Sequence, residues 1–295
     1  VFLGGASAQA AELWIQKAEQ QFEKVPNRDF EQLAKSEDVA AKFFDADGDG
    51  DQDLYVTSAG NEFADGQLYN YDKLYINDGK GKLRFSPMAL PQIGSQGKTV
   101  SAGDIDGDGD QDLFIGANIK QGGYGLAPRQ YLLLNNGRGQ FQDEFNRRMD
   151  IKGELGMINA SQIADLDGDG DQDIVLAGEW TELVWLENDG RGVFRDRTTL
   201  SGFGLWSSLQ LVDINKDGLP DIIGGNLGLN SKLKATEETP LEMFIADFDN
   251  NEQVDPILFH YQQGQQTPFA SRDELIKQVS AIKKQHKDYK DYAKL

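Results

Sequence analysis

The chain contains no cysteine and only two histidines. Disulfides, cysteine nucleophiles and the His/Cys ligand sets of structural zinc or iron–sulfur centres are therefore excluded. No Ser/His/Asp or Cys/His arrangement can be assembled, and no Walker or dinucleotide glycine loop is present. Long apolar runs are missing as well: nothing approaches the roughly 20 apolar residues of a membrane-spanning helix, so membrane insertion is not expected. Basic residues are in the minority, 29 Lys and Arg against 49 Asp and Glu, for a formal charge of −20. A field of that sign repels phosphate backbones and anionic lipid surfaces, which removes nucleic acid from the expected partners.

What the chain has instead is aspartate in a fixed pattern. Asp45 to Asp53 reads DADGDGDQD, Asp104 to Asp112 reads DIDGDGDQD, and Asp165 to Asp173 reads DLDGDGDQD. Carboxylates at every second position repel one another, and holding them together in a fold calls for a cation. Calcium fits: it is a hard ion that takes about 6–8 oxygen ligands in flexible geometry, whereas magnesium demands stricter geometry and zinc prefers His or Cys. Two weaker copies follow, Asp213 to Asp221 (DINKDGLPD) and Asp247 to Asp255 (DFDNNEQVD), making up to five calcium sites. The expected side-chain ligands stand at loop positions 1, 3, 5 and 9. They are Asp45, Asp47, Asp49 and Asp53; Asp104, Asp106, Asp108 and Asp112; Asp165, Asp167, Asp169 and Asp173; Asp213, Asn215, Asp217 and Asp221; Asp247, Asp249, Asn251 and Asp255. Position 7, occupied by Asp51, Asp110, Asp171, Leu219 and Gln253, is expected to offer its backbone carbonyl, which accounts for a leucine there.

An EF-hand also opens D-x-D-x-D-G, but it needs a bidentate Glu at position 12 and a helix on each side. Here position 12 is Val56, Ile115, Leu176, Gly224 or Leu258. Position 9 runs directly into β-rich apolar segments such as Leu54-Tyr-Val and Leu113-Phe-Ile, so the loops are expected between strands.

The loops start at residues 45, 104, 165, 213 and 247, so successive starts lie 59, 61, 48 and 34 residues apart. A period near sixty suits a four-stranded blade, and self-similarity at that scale points to an all-β propeller of antiparallel blades with the calcium loop between first and second strands. Each unit then offers a third strand (Leu74-Tyr-Ile, Tyr131-Leu-Leu-Leu, Leu183-Val-Trp-Leu) and a hairpin of the form Asn-Asp/Asn-Gly-x-Gly starting at Asn77, Asn135 or Asn188. Asn-Gly and Asp-Gly are strong turn signals because they tolerate positive φ. The fourth strand brings Phe85, Phe141 or Phe194, expected to pack between blades. Residues 10–25 carry a helical spacing of Trp14, Ala18 and Phe22, yet set beside the repeat they read as strand, turn and strand. The first and last blades are thus expected to be incomplete, with residues 1–270 as the propeller body. Residues 271–295 are expected to form a short amphipathic helical tail, opened by a capping box at Ser271-Arg-Asp-Glu274, with Leu275, Val279, Ile282 and His286 on one face.

The aspartate loops followed by a β run, together with the N-D-G-x-G-x-F hairpins, resemble FG-GAP/VCBS repeats such as those of integrin α-subunit propellers. Gly224-Gly-Asn-Leu-Gly-Leu-Asn230, Pro240-Leu-Glu-Met-Phe-Ile-Ala-Asp247 and Pro268-Phe-Ala-Ser-Arg-Asp-Glu-Leu275 look like segments of bacterial exported proteins related to cartilage acidic protein, although the ASPIC/UnbV segment often found with them is not seen. The resemblance implies a calcium-dependent propeller in an exported protein. It carries over no catalytic residue, because the shared motif is the metal loop itself. An extracellular, cell-surface or periplasmic setting agrees with zero cysteine and with loops of the weak, roughly 10⁻⁴–10⁻³ M class that millimolar calcium keeps filled.

Two functional readings follow. The first is a non-catalytic binding, adhesion or scaffold propeller within a larger surface or secreted protein, with a glycan or protein ligand at the loops that vary between units. Tyr69, Tyr71, Tyr124 and Trp180 lie in those loops. The second is a carbohydrate-active enzyme, a polysaccharide lyase or hydrolase, which needs acid/base groups outside the metal loops. Glu179 and Glu182 are the candidate carboxylates for it, with Arg129 or Tyr124 as partners.

Overall fold

The computed structural model describes residues 1–60, 67–120, 122–151, 153–228 and 230–292. By internal contacts the chain divides into two compact units, Val1–Asn118 with Ala127–Asn226, and Ile119–Leu126 with Leu227–Leu295.

In the first unit, β1 (Phe2–Leu3), β2 (Glu12–Ala18) and β3 (Gln21–Val25) make a three-stranded antiparallel sheet, which bears out strand, turn and strand for residues 10–25. The helical spacing there is overridden because Leu13 faces the core while the exposed residues pair across β2 and β3. A short helix α1 (Arg28–Gln32), capped by the Asn27 side chain, leads to the second sheet. That sheet comprises β4 (Glu37–Phe44), β5 (Asp53–Ala59), β6 (Lys73–Ile76) and β7 (Arg84–Phe85) in sequential order. The third sheet repeats it with β8 (Gly97–Gly103), β9 (Asp112–Ala117), β10 (Tyr131–Leu134) and β11 (Gln142–Asp143), followed by helix α2 (Phe145–Arg148).

The fourth sheet joins β12 (Met157–Ala164), β13 (Asp173–Asn188), β14 (Phe194–Val212) and β15 (Asp221–Asn226). Its two long strands each do the work of two. The ends of β13 meet, the Asn188 amide donating to Asp173 Oδ1 at 2.9 Å. Sixteen extended residues would span about 50 Å, so β13 must fold back on itself. The fold-back falls at Trp180, whose φ of 55° is unusual for a bulky residue. Strand β14 pairs with β13 through its first half and with β15 from Trp206 onward.

These sheets are blades of β-propeller type, stacked face to face. The second strands of the middle blades, β5 and β9, are buried along almost their whole length because each is covered on both faces. This is why they read as continuous apolar runs rather than alternating ones. Between the first and second sheets lie Leu13, Leu54, Val56 and Tyr75. Phe44, Tyr55, Ile115 and Phe141 fill the next interface, and Phe114, Ile158, Leu176 and Phe194 the one after it. Each such side chain contributes about 1.5–3 kcal/mol by leaving water. Phe141 and Phe194 are core residues as expected, and Phe85 is half-buried against Tyr75.

In the second unit, β16 (Glu242–Ala246), β17 (Asp255–Gln262) and β18 (Gln265–Pro268) form a three-stranded antiparallel sheet. The tail is helical, but in three short pieces: α3 (Arg272–Gln278), α4 (Ile282–Gln285) and α5 (Tyr289–Tyr292). The capping box at Ser271 and Glu274 is present. Leu275, Val279 and Ile282 are buried together as their spacing suggests. The helix nevertheless stops at Val279, where a β-branched residue and Ser280 are poor helix formers, so the apolar face is assembled from separate turns.

Candidate metal centres

Every aspartate loop connects an entering strand to a leaving strand, β4 to β5, β8 to β9, β12 to β13, β14 to β15 and β16 to β17. One hydrogen-bond scheme builds the first four. The position 1 carboxylate accepts two amides of its own loop. Asp45 takes Gly48 N at 2.8 Å and Gly50 N at 3.0 Å. Asp104 takes Gly107 and Gly109, Asp165 takes Gly168 and Gly170, and Asp213 takes Lys216 and Gly218. Asp247 differs by one residue, accepting from Asn251 and Glu252. Position 5 accepts the amide of position 7 in all five loops, at Asp49, Asp108, Asp169, Asp217 and Asn251.

Position 9 closes each loop by accepting the amide of position 2: Ala46 onto Asp53 at 2.8 Å, Ile105 onto Asp112 at 3.0 Å, Leu166 onto Asp173 at 3.2 Å, Ile214 onto Asp221 at 2.8 Å and Phe248 onto Asp255 at 3.1 Å. The wrap needs positive φ at positions 4 and 6, which Gly48 (77°) and Gly50 (88°) supply. The later loops keep glycine only at Gly218 (96°) and hold the same backbone with other residues at Lys216 (64°), Asn250 (60°) and Glu252 (66°).

Carboxylates converge in four of the loops. Oxygens of Asp45, Asp47 and Asp53 lie within 4.8 Å of one another, as do those of Asp104, Asp106 and Asp108, of Asp165, Asp167 and Asp169, and of Asp247, Asp249 and Asp255. Among the described residues no such acidic triad gathers at Asp213, where position 3 is Asn215 and its side chain is turned onto Asp217 at 2.9 Å. Oδ1 of Asp47, of Asp106 and of Asp249, all at position 3, is buried with no hydrogen-bond partner. Buried oxygens left without donors are costly unless a cation takes them. These three fit an oxygen-seeking metal ion.

The electrostatics agree. Burial pushes the Asp112 carboxyl up to about 7, against the pull of the Asn135 and Ile105 amides, with Asp106 and Asp110 adding repulsion. Burial likewise lifts Asp53 to about 6 and Asp110 to about 6. Burial and the neighbouring Asp169 raise Asp171 to about 7. Asp47, Asp106 and Asp173 are raised as well, first by burial, with neighbouring aspartates adding to it; Arg148 partly offsets the rise at Asp106. A divalent cation bound among these carboxylates would favour their ionised forms and oppose the shifts.

Sequence reasoning missed two features. The position 7 carboxylates of Asp51, Asp110 and Asp171 turn toward the hairpin glycines of their own sheets, Gly79, Gly137 and Gly190. Both oxygens of Asp51 and one each of Asp110 and Asp171 are buried without a partner. The hairpin asparagines, read as turn formers, also hold the loops. Asn77, Asn135 and Asn188 donate their amides to the free oxygens of Asp53, Asp112 and Asp173 at 2.7, 2.8 and 2.9 Å. Two reach across to the preceding sheet, Asn135 Nδ2 to Ala46 O and Asn188 Nδ2 to Ile105 O, both at 2.8 Å. The recurrence of Asn at the end of each third strand was the available signal.

The groups weighed for acid/base chemistry have structural partners. Arg129 pairs with Asp143 at 2.5 Å and stacks on Tyr131, and Glu182 pairs with Arg197 at 2.8 Å. Glu179 accepts from Asn159 Nδ2 at 3.3 Å.

Comparison with known proteins gives the same picture. A profile of the FG-GAP-like repeat matches residues 45–115 and 165–224. Cartilage acidic protein 1 of Xenopus tropicalis is 25% identical over 244 residues, covering 72% of this chain and 37% of that protein, so the chain spans little more than a third of that relative's length. An Agrocybe aegerita lectin, whose structure is described as the basis of specific recognition of non-reducing terminal N-acetylglucosamine, superposes with a TM-score of 0.51 at 17% identity, over 89% of this chain and 60% of the lectin. The exotype rhamnogalacturonan lyase YesX gives a TM-score of 0.38 at 15% identity, over 88% of this chain and 47% of that one. The chain carries FG-GAP-like repeats on blades of β-propeller type and is a distant relative of cartilage acidic protein 1.

Proposed function

We propose that this chain is a non-catalytic, calcium-stabilised binding or scaffold propeller of an exported protein, displayed outside the cell, at its surface or in the periplasm. Residues 1–270 serve as the propeller body and 271–295 as its tail. Each of the five loops takes one calcium ion through the side-chain oxygens of positions 1, 3, 5 and 9 and the backbone carbonyl of position 7. The observation that carries the reading is the set of buried, partnerless position 3 oxygens facing other carboxylates in loops of one design. The ions are architectural, since they sit where strands turn, and five of them would bring the formal charge of −20 to −10. Ligand recognition, of a glycan or a protein, falls to the loops that differ between blades, which carry Tyr69, Tyr71, Tyr124 and Trp180. The likeness to a sugar-recognising lectin supports a glycan as the first ligand class to test.

The test is thermal unfolding in 2 mM calcium and in excess chelator. With dissociation constants of about 10⁻⁴–10⁻³ M, each occupied site adds roughly 0.7–1.8 kcal/mol, so four sites add roughly 3–7 kcal/mol. For a unit of about 200 residues this is a fall in Tm of at least about 6 °C on chelation. An unchanged melt would sink structural calcium, and silence across a broad glycan array would remove the glycan.

A further inference from the structure

The segment between β11 and β12 brings one cation onto a metal loop. Helix α2 is fixed by its flanks. The Phe145 amide donates to Asp143 Oδ1 at 3.1 Å, its ring packs against the core between the third and fourth sheets, and the Asp150 amide donates to Phe194 O at 2.9 Å. Arg148, in the last turn of α2, is thereby held between the 104–112 loop of the third sheet and the hairpin of the fourth. Its Nη2 reaches Asp106 Oδ2 at 3.3 Å, and its Nη1 donates to Arg191 O. The side chains of Arg148 and Asp106 are 18% and 20% exposed, so the pair is largely shielded from bulk water.

Asp106 stands at loop position 3, and its two oxygens have separate duties. Oδ2 meets the guanidinium, while Oδ1 is buried with no hydrogen-bond partner, in the triad with Asp104 and Asp108. Among the described residues no other aspartate of the five loops takes part in an ion pair. The same corner of the first loop shows the contrast. Gly139 lies against Asp47, Ala46 and Ile76, whereas Gly192 lies against Asp106, Ile105 and Arg148, so the arginine stands where the first loop has an isoleucine. The connection 86–96 of the second sheet, which corresponds to the segment carrying α2, contains no Lys or Arg.

We propose that Arg148 is a counter-cation built into the 104–112 loop, which holds Asp106 in place with or without calcium and makes this loop bind calcium more weakly than the matching loops 45–53 and 165–173. The inference rests on the calcium reading above. Two effects oppose each other: a partner on the outer oxygen orients a ligating carboxylate and favours the ion, while a positive charge beside a divalent ion disfavours it. Orientation is already supplied by the loop itself, where Asp104 takes the Gly107 and Gly109 amides, Asp108 that of Asp110 and Asp112 that of Ile105. Little is left for Arg148 to add, so its charge decides. A unit charge about 6 Å from a divalent ion, the reach across one carboxylate, weakens binding roughly tenfold at the dielectric constant of water and about threefold with screening by 0.15 M salt. As calcium falls, this loop empties before its two matches. The guanidinium then supplies part of the neutralisation and keeps the loop tied to the Arg191 carbonyl of the next sheet.

The test is a calorimetric titration of calcium into the metal-stripped full chain, with Asp104→Ala marking the step that belongs to this loop. Arg148→Met, which keeps the apolar stem, and Arg148→Gln both remove the charge, and Arg148→Lys keeps it. The neutral variants should bind calcium in this loop at least about threefold more tightly, with the other steps unchanged, and Arg148→Lys should stay within about twofold of the native affinity. Linkage then requires the neutral variants to lose more Tm in excess chelator than in 2 mM calcium, which loss of a purely structural contact would not produce. Unchanged or weaker calcium binding in either neutral variant that folds would overturn the proposal, as would Arg148→Lys tightening as they do. Equal losses of Tm in the two media would also overturn it. No calcium uptake by the native chain would instead overturn the calcium reading on which the proposal stands.

Discussion

If the hairpin asparagines staple one sheet to the next, removing one that spans two sheets must cost more than removing one that does not. Asn188 is 4% exposed. Its Nδ2 donates to Ile105 O and Gln172 O, both at 2.8 Å, and its Oδ1 accepts Gly190 N at 3.2 Å and Gly192 N at 2.9 Å. Asn77 makes the local subset, Gln52 O at 3.1 Å and Gly81 N at 3.0 Å. At a net 0.5–1.5 kcal/mol for each bond, with buried carbonyls stranded on one side only, Asn188→Ala should cost roughly 2–4 kcal/mol and Asn77→Ala roughly 1–2 kcal/mol. The difference, about 1–2 kcal/mol, corresponds to a gap in Tm of about 2–8 °C for a unit of this size. Urea unfolding read by tryptophan emission in saturating calcium gives the free energies directly, and differential scanning gives the Tm values. Equal losses in the two variants would refute the cross-sheet staple. A larger loss at Asn77 would reverse the ranking of the two interfaces.

Two further outcomes rest on the loops. Asp112 has a folded pKa of about 7, raised above the roughly 4 of an unfolded aspartate, so the folded state binds the extra proton between those values. Its contribution is then fully present below pH 4 and is lost as pH rises through 7, on the order of 4 kcal/mol for that residue alone. In chelator the urea midpoint should therefore fall from pH 4 to pH 7. In calcium, which favours the ionised form, it should rise, and identical profiles in the two media would contradict this. Glu252 holds a left-handed φ of 66° that glycine adopts freely, so Glu252→Gly should stabilise the chain by about 1 kcal/mol in urea unfolding. A loss of that size would mean that the Glu252 side chain matters to the loop.

Much of this was legible in the sequence because the repeat constrains it. A turn that must hold carboxylates at alternate positions, followed by strands buried on both faces, leaves a signature in composition as well as in spacing, and the strand limits at Asp53, Asp112, Asp173, Asp221 and Asp255 follow from it. The same comparison recovered β2 and β3, where local periodicity points to a helix. What stayed hidden was whatever depends on a second element. The reversal within β13 was legible, because Leu183-Val-Trp-Leu reads as a third strand with Trp180 in the loop before it, but nothing local announces that Trp180 itself takes a φ of 55° there. The tail reads as one helix because Leu275, Val279 and Ile282 keep helical spacing even though the backbone breaks between them. Asn135 and Asn188 look like ordinary turn residues until the carbonyls of Ala46 and Ile105 are seen beside them. The side chains at position 7 were assigned only a backbone role, since nothing local predicts that Asp51 and Asp110 turn toward Gly79 and Gly137.

The central claim is that the aspartate loops are cation sites built into the blades. Equilibrium dialysis of the metal-stripped chain against millimolar calcium, with bound metal counted by elemental analysis, tests it most directly. The account predicts saturable uptake approaching five ions per chain, one for each loop, four of them at the acidic triads. Uptake of less than one ion per chain at 2 mM calcium would contradict it.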